Sequence, residues 1–199
     1  MKIAYKHLLK FIDDKPEIKD LSSKLFQLGH EHEINDGIFE MEFTPNRGDC
    51  LSLLGLTRDL NVFYKTKTNI QIYQDEISSM NLNFINKAKD KCPFISFLNI
   101  EISGPVSAYK DYLENYFHDL NLNKNNFFTD ISNYVAYEMG QPTHCYDYSK
   151  IGKDITLIEN NESIEFNHLL GDSINLSGSD LIFMSENKMI NLSGVIGGI

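Results

Sequence analysis

Asn133-Tyr134-Val135-Ala136-Tyr137-Glu138-Met139-Gly140-Gln141-Pro142-Thr143-His144-Cys145-Tyr146-Asp147 changes character halfway along. Its first half carries apolar residues at helical spacing, with Ile131, Tyr134, Val135 and Met139 on one side. Gly140 sits where a helix takes a left-handed residue to stop, and Pro142 forbids its resumption. The Gly-Gln-Pro turn then delivers His144 and Asp147 close together. A sharp helix stop with exposed backbone amides, a histidine and a carboxamide suits the wall of a small-molecule pocket. It equally suits a plain turn.

Toward the N-terminus, residues 4–12 read as a short helix with Tyr5, Leu8, Leu9 and Ile12 on one face. Pro16 opens a second helix, with Ile18, Leu21, Leu25 and Leu28 inward and Gly29 as its stop. Two short helices cannot bury their stripes alone, so this module must lean on a larger body. His30–Gly37 reads as a polar linker, and its His-x-His pair lacks further ligands nearby, so no metal site is expected. From Ile38 the pattern alternates, with Phe39, Met41 and Phe43 opposing Glu40 and Glu42, as in a half-buried strand. Thr44–Asp49 is a turn, with Asp49 the expected cap of a helix carrying Leu53, Leu56, Leu60 and Phe63 inward. Arg58 reads as a carboxylate partner, and Arg47 either as a contact to an RNA backbone or as an internal ion pair with Asp49 or Asp59, the internal pair being favoured.

Residues 64–91 are weakly patterned and read as a loop with one or two short edge strands. Pro93–Ile102 alternates, Phe94, Ser96, Leu98, Ile100 and Ile102 sharing a face, and reads as a strand. Ser107 is the expected cap of a helix with Leu113, Tyr116, Phe117 and Leu120 inward, and the next helix begins near Thr129. Beyond Asp147 the chain reads as short strands at Ile155–Glu159, Ser163–Asn167, Ser173–Leu176, Leu181–Ser185 and Met189–Leu192. Gly194, Gly197 and Gly198 close the chain where backbone meets backbone or ligand, and Gly140 and Gly197 are expected to take angles closed to other residues. The abrupt finish at Ile199 suggests a fragment of something longer. The whole is α+β, with a helical module at 1–36 and a mixed domain with antiparallel sheets at 37–199.

Composition narrows the function. A net charge of −10 argues against broad nonspecific nucleic-acid binding, without excluding a local contact with RNA. Three widely spaced cysteines, Cys50, Cys92 and Cys145, point to reduced thiols in the cytoplasm rather than disulfides or zinc. No apolar run approaches the roughly 20 residues of a membrane span, so no membrane partner is expected.

Three stretches together resemble the β subunit of bacterial phenylalanyl-tRNA synthetase. They are Phe43-Thr44-Pro45-Asn46-Arg47-Gly48-Asp49-Cys50-Leu51-Ser52 with Gly55, Arg58 and Asp59; Asp130–Tyr134 running into Gly140-Gln141-Pro142-Thr143-His144 and Asp147; and Leu192-Ser193-Gly194-Val195-Ile196-Gly197-Gly198. The opening Met1–Lys6 is similar to that subunit's start, so the resemblance covers essentially the whole chain. It implies a helical module followed by an editing-type domain that hydrolyses tyrosine mischarged onto tRNA(Phe). The partners implied are the α subunit, in a heterotetramer, and tRNA(Phe). ATP and Mg are handled by the α subunit, leaving no cofactor for this chain, which has no phosphate-cradling loop of its own.

The chain departs from the family in three places. Only His30–Gly37 stands where an oligonucleotide-binding barrel is usual. Ile151-Gly152-Lys153 stands where a phenol-reading glutamate is expected, and bulky Ile174 where a small residue is usual. Proofreading hydrolysis and a non-catalytic scaffold are therefore both open. The substrate-binding residues implied are Arg47, Asn133, Gly140, Gln141, His144, Gly197 and Gly198, with no certain catalytic side chain. Ester hydrolysis needs a held water and an oxyanion stabiliser, which backbone N–H groups near Gly140 and Gly197-Gly198 can supply.

Overall fold

The alternating run from Ile38 becomes the middle strand of a small sheet in the computed structural model, which describes residues 1–67 and 78–199. The sheet contains β1 (Lys2–Ala4), β2 (Glu31–Asn35) and β3 (Ile38–Glu42) in the order β1-β3-β2, antiparallel throughout. Asp36 and Gly37 both have positive φ, 49° and 78°, the geometry of a tight two-residue hairpin. The expected linker at His30–Gly37 is thus a strand and its turn. Its side chains are too polar to signal a strand; backbone pairing from Asn35↔Ile38 to Glu31↔Glu42 makes it one.

Described residues fall into two units, Met1–Tyr73 with Pro105–Cys145 and Gln74–Gly104 with Tyr146–Ile199. In the first, α1 (Tyr5–Leu8), α2 (Ile18–Gln27), α3 (Leu53–Leu60), α4 (Asp111–Asp119) and α5 (Phe127–Met139) share one apolar cluster with the three-stranded sheet. Ile3, Leu8, Leu21, Leu25, Phe39 and Leu56 are fully buried in it. The helix expected over 4–12 is only four residues long: Ala4 pairs in β1, and at the other end Ile12 is drawn into an antiparallel bridge with Thr66, the Phe11 carbonyl accepting from Lys67 N–H at 2.7 Å. Gly29, at φ 82°, stops α2 as its position requires.

Two capping expectations are corrected. Ser52, not Asp49, caps α3, its Oγ accepting from Gly55 N–H at 3.0 Å, while Gly48–Cys50 forms a single tight helical turn. Lys110, not Ser107, precedes α4 and makes no side-chain cap. On α5 the inward residues are Asp130 and Tyr137, with Ile131 and Tyr134 packed partly against the cluster. Met139 is 40% exposed, so the expected stripe is rotated. Tyr137 turns inward because its hydroxyl accepts from Ala4 N–H at 3.3 Å and meets His7 Nδ1 at 3.0 Å.

The second unit is a mixed sheet. β4 (Asn83–Asn86) lies parallel to β5 (Asp154–Asn160); β8 (Asp180–Ser185), β9 (Lys188–Leu192) and β10 (Ile196–Gly197) continue it antiparallel in the order β10-β9-β8-β5-β4. β6 (Ile164–Asn167) and β7 (Ser173–Leu176) form a separate ribbon. Every strand expected beyond Asp147 is present, because alternation and turn residues specify each one locally. Within 64–91 the edge strand is β4, and residues 68–77 lie outside the described ones. Pro93–Ile102 forms no strand. Alternation selects a face but not a partner; among the described residues none pairs with this segment, and Phe94 and Leu98 are 91% and 76% exposed. Phe97 instead packs on Phe84, ring centroids 4.8 Å apart. Among the described residues no helix is long and apolar enough to cross a membrane.

Candidate functional site

The helix stop at Gly140 is built as its sequence requires. The residue is left-handed at φ 72°, and its N–H bonds the Ala136 carbonyl at 2.9 Å. A Cβ there would stand 3.2 Å from both Cβ and Oγ of Ser52, the residue that caps α3. Two motifs far apart in sequence are therefore one packed joint: the Ser52 cap seats the Gly-Gln-Pro-Thr-His turn. Gly55 tightens the same place, since a Cβ on it would fall 1.8 Å from the Asp49 carbonyl oxygen. From this joint Asn133, Gln141 and His144 are presented as exposed residues. His144 is nonetheless partly desolvated, which lowers its pKa and favours a neutral imidazole. Cys145 lies beside them, with Ser132 Oγ at 3.4 Å.

Arg47 faces inward into its own turn. Its Nε and Nη2 donate to the two oxygens of Asp49 at 3.0 and 3.1 Å, and Nη2 reaches Asp59 Oδ2 at 2.5 Å and Cys50 Sγ at 2.7 Å. Arg58 also pairs with Asp49, and His30 Nε2 lies 3.1 Å from Asp59 Oδ2. Hydrogen bonding from Arg47 holds the Asp49 carboxyl down at about 2. Burial works to raise Asp59, but hydrogen bonds from Arg47 and His30 leave it below the ordinary value. Burial, reinforced by Asp59, pushes the Cys50 thiol up to about 12. The carboxylate pairing expected for both arginines is present. His30 and Cys50, which join it, were unreadable in the sequence, because a single histidine in a polar stretch and a single thiol in a turn carry no signal of a carboxylate partner as an arginine does.

Gly197 and Gly198 belong to the second unit. Gly197 lies in β10 and accepts from Leu169 N–H at 3.0 Å, and it is not among the residues with positive φ. The special backbone angle falls instead on Gly194, at φ 73°, which turns β9 into β10. Gly198 is needed for space, since a Cβ would stand 2.9 Å from Phe166 Cε2 and 3.3 Å from the Ile190 carbonyl oxygen. Ile174 lies on β7 opposite Phe166 and is 36% exposed. Asp147, also in this unit, accepts from Ser149 Oγ at 2.6 Å.

The family described as B3/4 domain matches residues 97–199. The phenylalanine–tRNA ligase β subunit of Fusobacterium nucleatum is 32% identical over 170 residues, covering 83% of this chain and 21% of that one. That of Pseudomonas putida is 26% identical over 200 residues, covering 96% and 24%. A solved N-terminal fragment of the phenylalanyl-tRNA synthetase β subunit from Pyrococcus horikoshii has a TM-score of 0.45 and 12% identity, covering 100% of this chain and 62% of that fragment. This chain spans about a fifth of the curated relatives' length. With more than half of its residues matched, the chain belongs to the B3/4 domain family, and its curated relatives are phenylalanine–tRNA ligase β subunits.

Proposed function

We propose that this chain serves within a phenylalanine–tRNA ligase β subunit, where it contributes to assembly and to hydrolysis of tyrosine mischarged onto tRNA(Phe). The α subunit supplies ATP- and Mg-dependent activation, and the heterotetramer acts in the cytoplasm. What carries this reading is the joint between the Ser52 cap and left-handed Gly140, which fixes an exposed turn bearing Gln141 and His144. Tyrosine and phenylalanine differ by one hydroxyl, so a site that only excludes bulk is breached at low frequency, and a second site with fixed polar groups corrects the error. Gln141 and neutral His144 are suited to orient water or the ester, and backbone N–H groups to receive the oxyanion. Arg47 is assigned a structural role, because Asp49 and Asp59 already occupy its guanidinium.

A second reading, a scaffold without hydrolysis, draws on Ile174, whose bulk stands where the family resemblance implies a small residue. One assay separates the two: the assembled enzyme is incubated with tyrosyl-tRNA(Phe) and deacylation is followed. Proofreading requires loss of tyrosine above the spontaneous rate, reduced by His144→Ala while phenylalanylation continues. Loss at only the spontaneous rate selects the scaffold.

A further inference from the structure

His30, Cys50 and Asp59 come from three separate elements and converge. His30 follows the Gly29 helix stop, Cys50 lies in the tight turn after Arg47, and Asp59 is in the last turn of α3. Their ligating atoms all lie within 4.8 Å of one another. Asp59 Oδ2 is 3.1 Å from His30 Nε2 and 3.6 Å from Cys50 Sγ. Tetrahedral zinc, with bonds of about 2.0–2.3 Å to oxygen, nitrogen and sulfur, separates its ligands by roughly 3.3–3.6 Å. Small side-chain adjustments therefore suffice to close the triad on an ion.

The supports are in place as well. The His30 and Cys50 side chains are almost completely buried, and the Asp59 side chain is 16% exposed. Phe43 packs edge-on to the His30 ring at 5.4 Å, and the His30 carbonyl faces His32 Nδ1 at 2.9 Å, which fixes the backbone carrying the imidazole. The cluster already receives a cation, since the Arg47 guanidinium touches both Cys50 and Asp59. Its second anchor, Asp49, lies outside the triad, and Arg47 is partly exposed, so the guanidinium has a place to go when displaced.

We propose that His30, Cys50 and Asp59 form a binding site for a borderline-soft divalent cation of the zinc type, with Arg47 as its built-in competitor. One imidazole, one thiolate and one carboxylate are a donor set suited to zinc, and they leave a fourth position for water. On binding, the Cys50 S–H bond breaks, the proton leaves to solvent, and a sulfur–metal bond forms. Thiolate and carboxylate together balance the dication, and no electron is transferred.

Cobalt(II) is the probe, because its spectrum reports both geometry and thiolate ligation. The chelator-treated full chain is titrated with Co2+ and its absorption recorded. Expected are visible bands of four-coordinate cobalt and a near-ultraviolet sulfur-to-cobalt charge-transfer band that saturate together and are reversed by zinc. The charge-transfer band disappears in Cys50→Ser and survives in the Cys92→Ser/Cys145→Ser double variant. Arg47→Gln tightens binding about tenfold, equivalent to about 1.4 kcal/mol. The proposal is overturned if the parent protein gives only the weak spectrum of hydrated cobalt, or if the thiolate band persists in Cys50→Ser. The first result needs no variant, so it stands whether or not any substitution disturbs folding.

Discussion

A methyl group at residue 55 would meet the Asp49 carbonyl oxygen at 1.8 Å, and the helix cannot give way without losing its Ser52 cap. Gly55→Ala, which would stabilise an ordinary exposed helix, is expected here to cost about 3 kcal/mol by overpacking, read from the urea midpoint. His7 makes a second residue-scale case. It is 2% exposed, with Nε2 3.0 Å from Asp119 and Nδ1 3.0 Å from the Tyr137 hydroxyl. A carboxylate only accepts, so Nε2 carries the hydrogen and Nδ1 accepts from Tyr137 in the neutral ring. Burial first, then Lys10 and Lys6, hold the His7 pKa below 6.5, while Asp119 opposes them. The unfolded chain therefore binds this proton more readily than the folded one. Its contribution to stability is complete above pH 6.5 and falls as pH drops below that value, by at most about 1.4 kcal/mol per pH unit. Asp119, held at about 2, contributes stability that is lost only as pH falls from 3.8 toward 2, outside that window. Urea midpoints on either side of pH 6.5 are expected to fall more steeply for the parent than for His7→Gln. Equal slopes would rule out a buried neutral His7.

At the scale of elements, strands with strict alternation and helices ended by glycine were legible, and their partners and caps were not. Asn126 accepts from Phe128 and Thr129 N–H, both at 3.1 Å, whereas Ser107 caps nothing. Asn126→Ala is expected to cost about 1 kcal/mol and Ser107→Ala close to nothing, by thermal unfolding of each variant. Both residues belong to the same favoured set of cap types, so composition alone ranks them alike. Only the position of the first helical turn separates them. Strand β2 was missed for the opposite reason: Glu31, Glu33 and Asn35 carry no β signature, and pairing with β3 supplies what their side chains lack. Pro93–Ile102 shows the converse, an alternating segment for which the described residues hold no pairing edge.

For the molecule as a whole, the two units each carry an apolar cluster, the first around Phe39 and Leu56, the second around Phe166 and Ile182. Of the implied site residues, Arg47, Asn133, Gly140, Gln141 and His144 lie on the first unit and Gly197 and Gly198 on the second. The Thr-Pro-Asn-Arg and Gly-Gln-Pro-Thr-His motifs were legible as motifs. That one seats the other was not, because a glycine's missing side chain leaves no trace of what it makes room for. This seating is the structural basis of the proposed editing turn, and a double-mutant cycle tests it. Gly140→Ala, Ser52→Gly and the pair are compared by urea denaturation, with Gly29→Ala as reference, since Gly29 is equally left-handed but has nothing within 4 Å of its added carbon. Gly140→Ala is expected to cost more than Gly29→Ala, and Ser52→Gly to relieve at least about 0.5 kcal/mol of that cost. Equal costs at the two glycines, with the Ser52 and Gly140 effects simply adding, would contradict the joint.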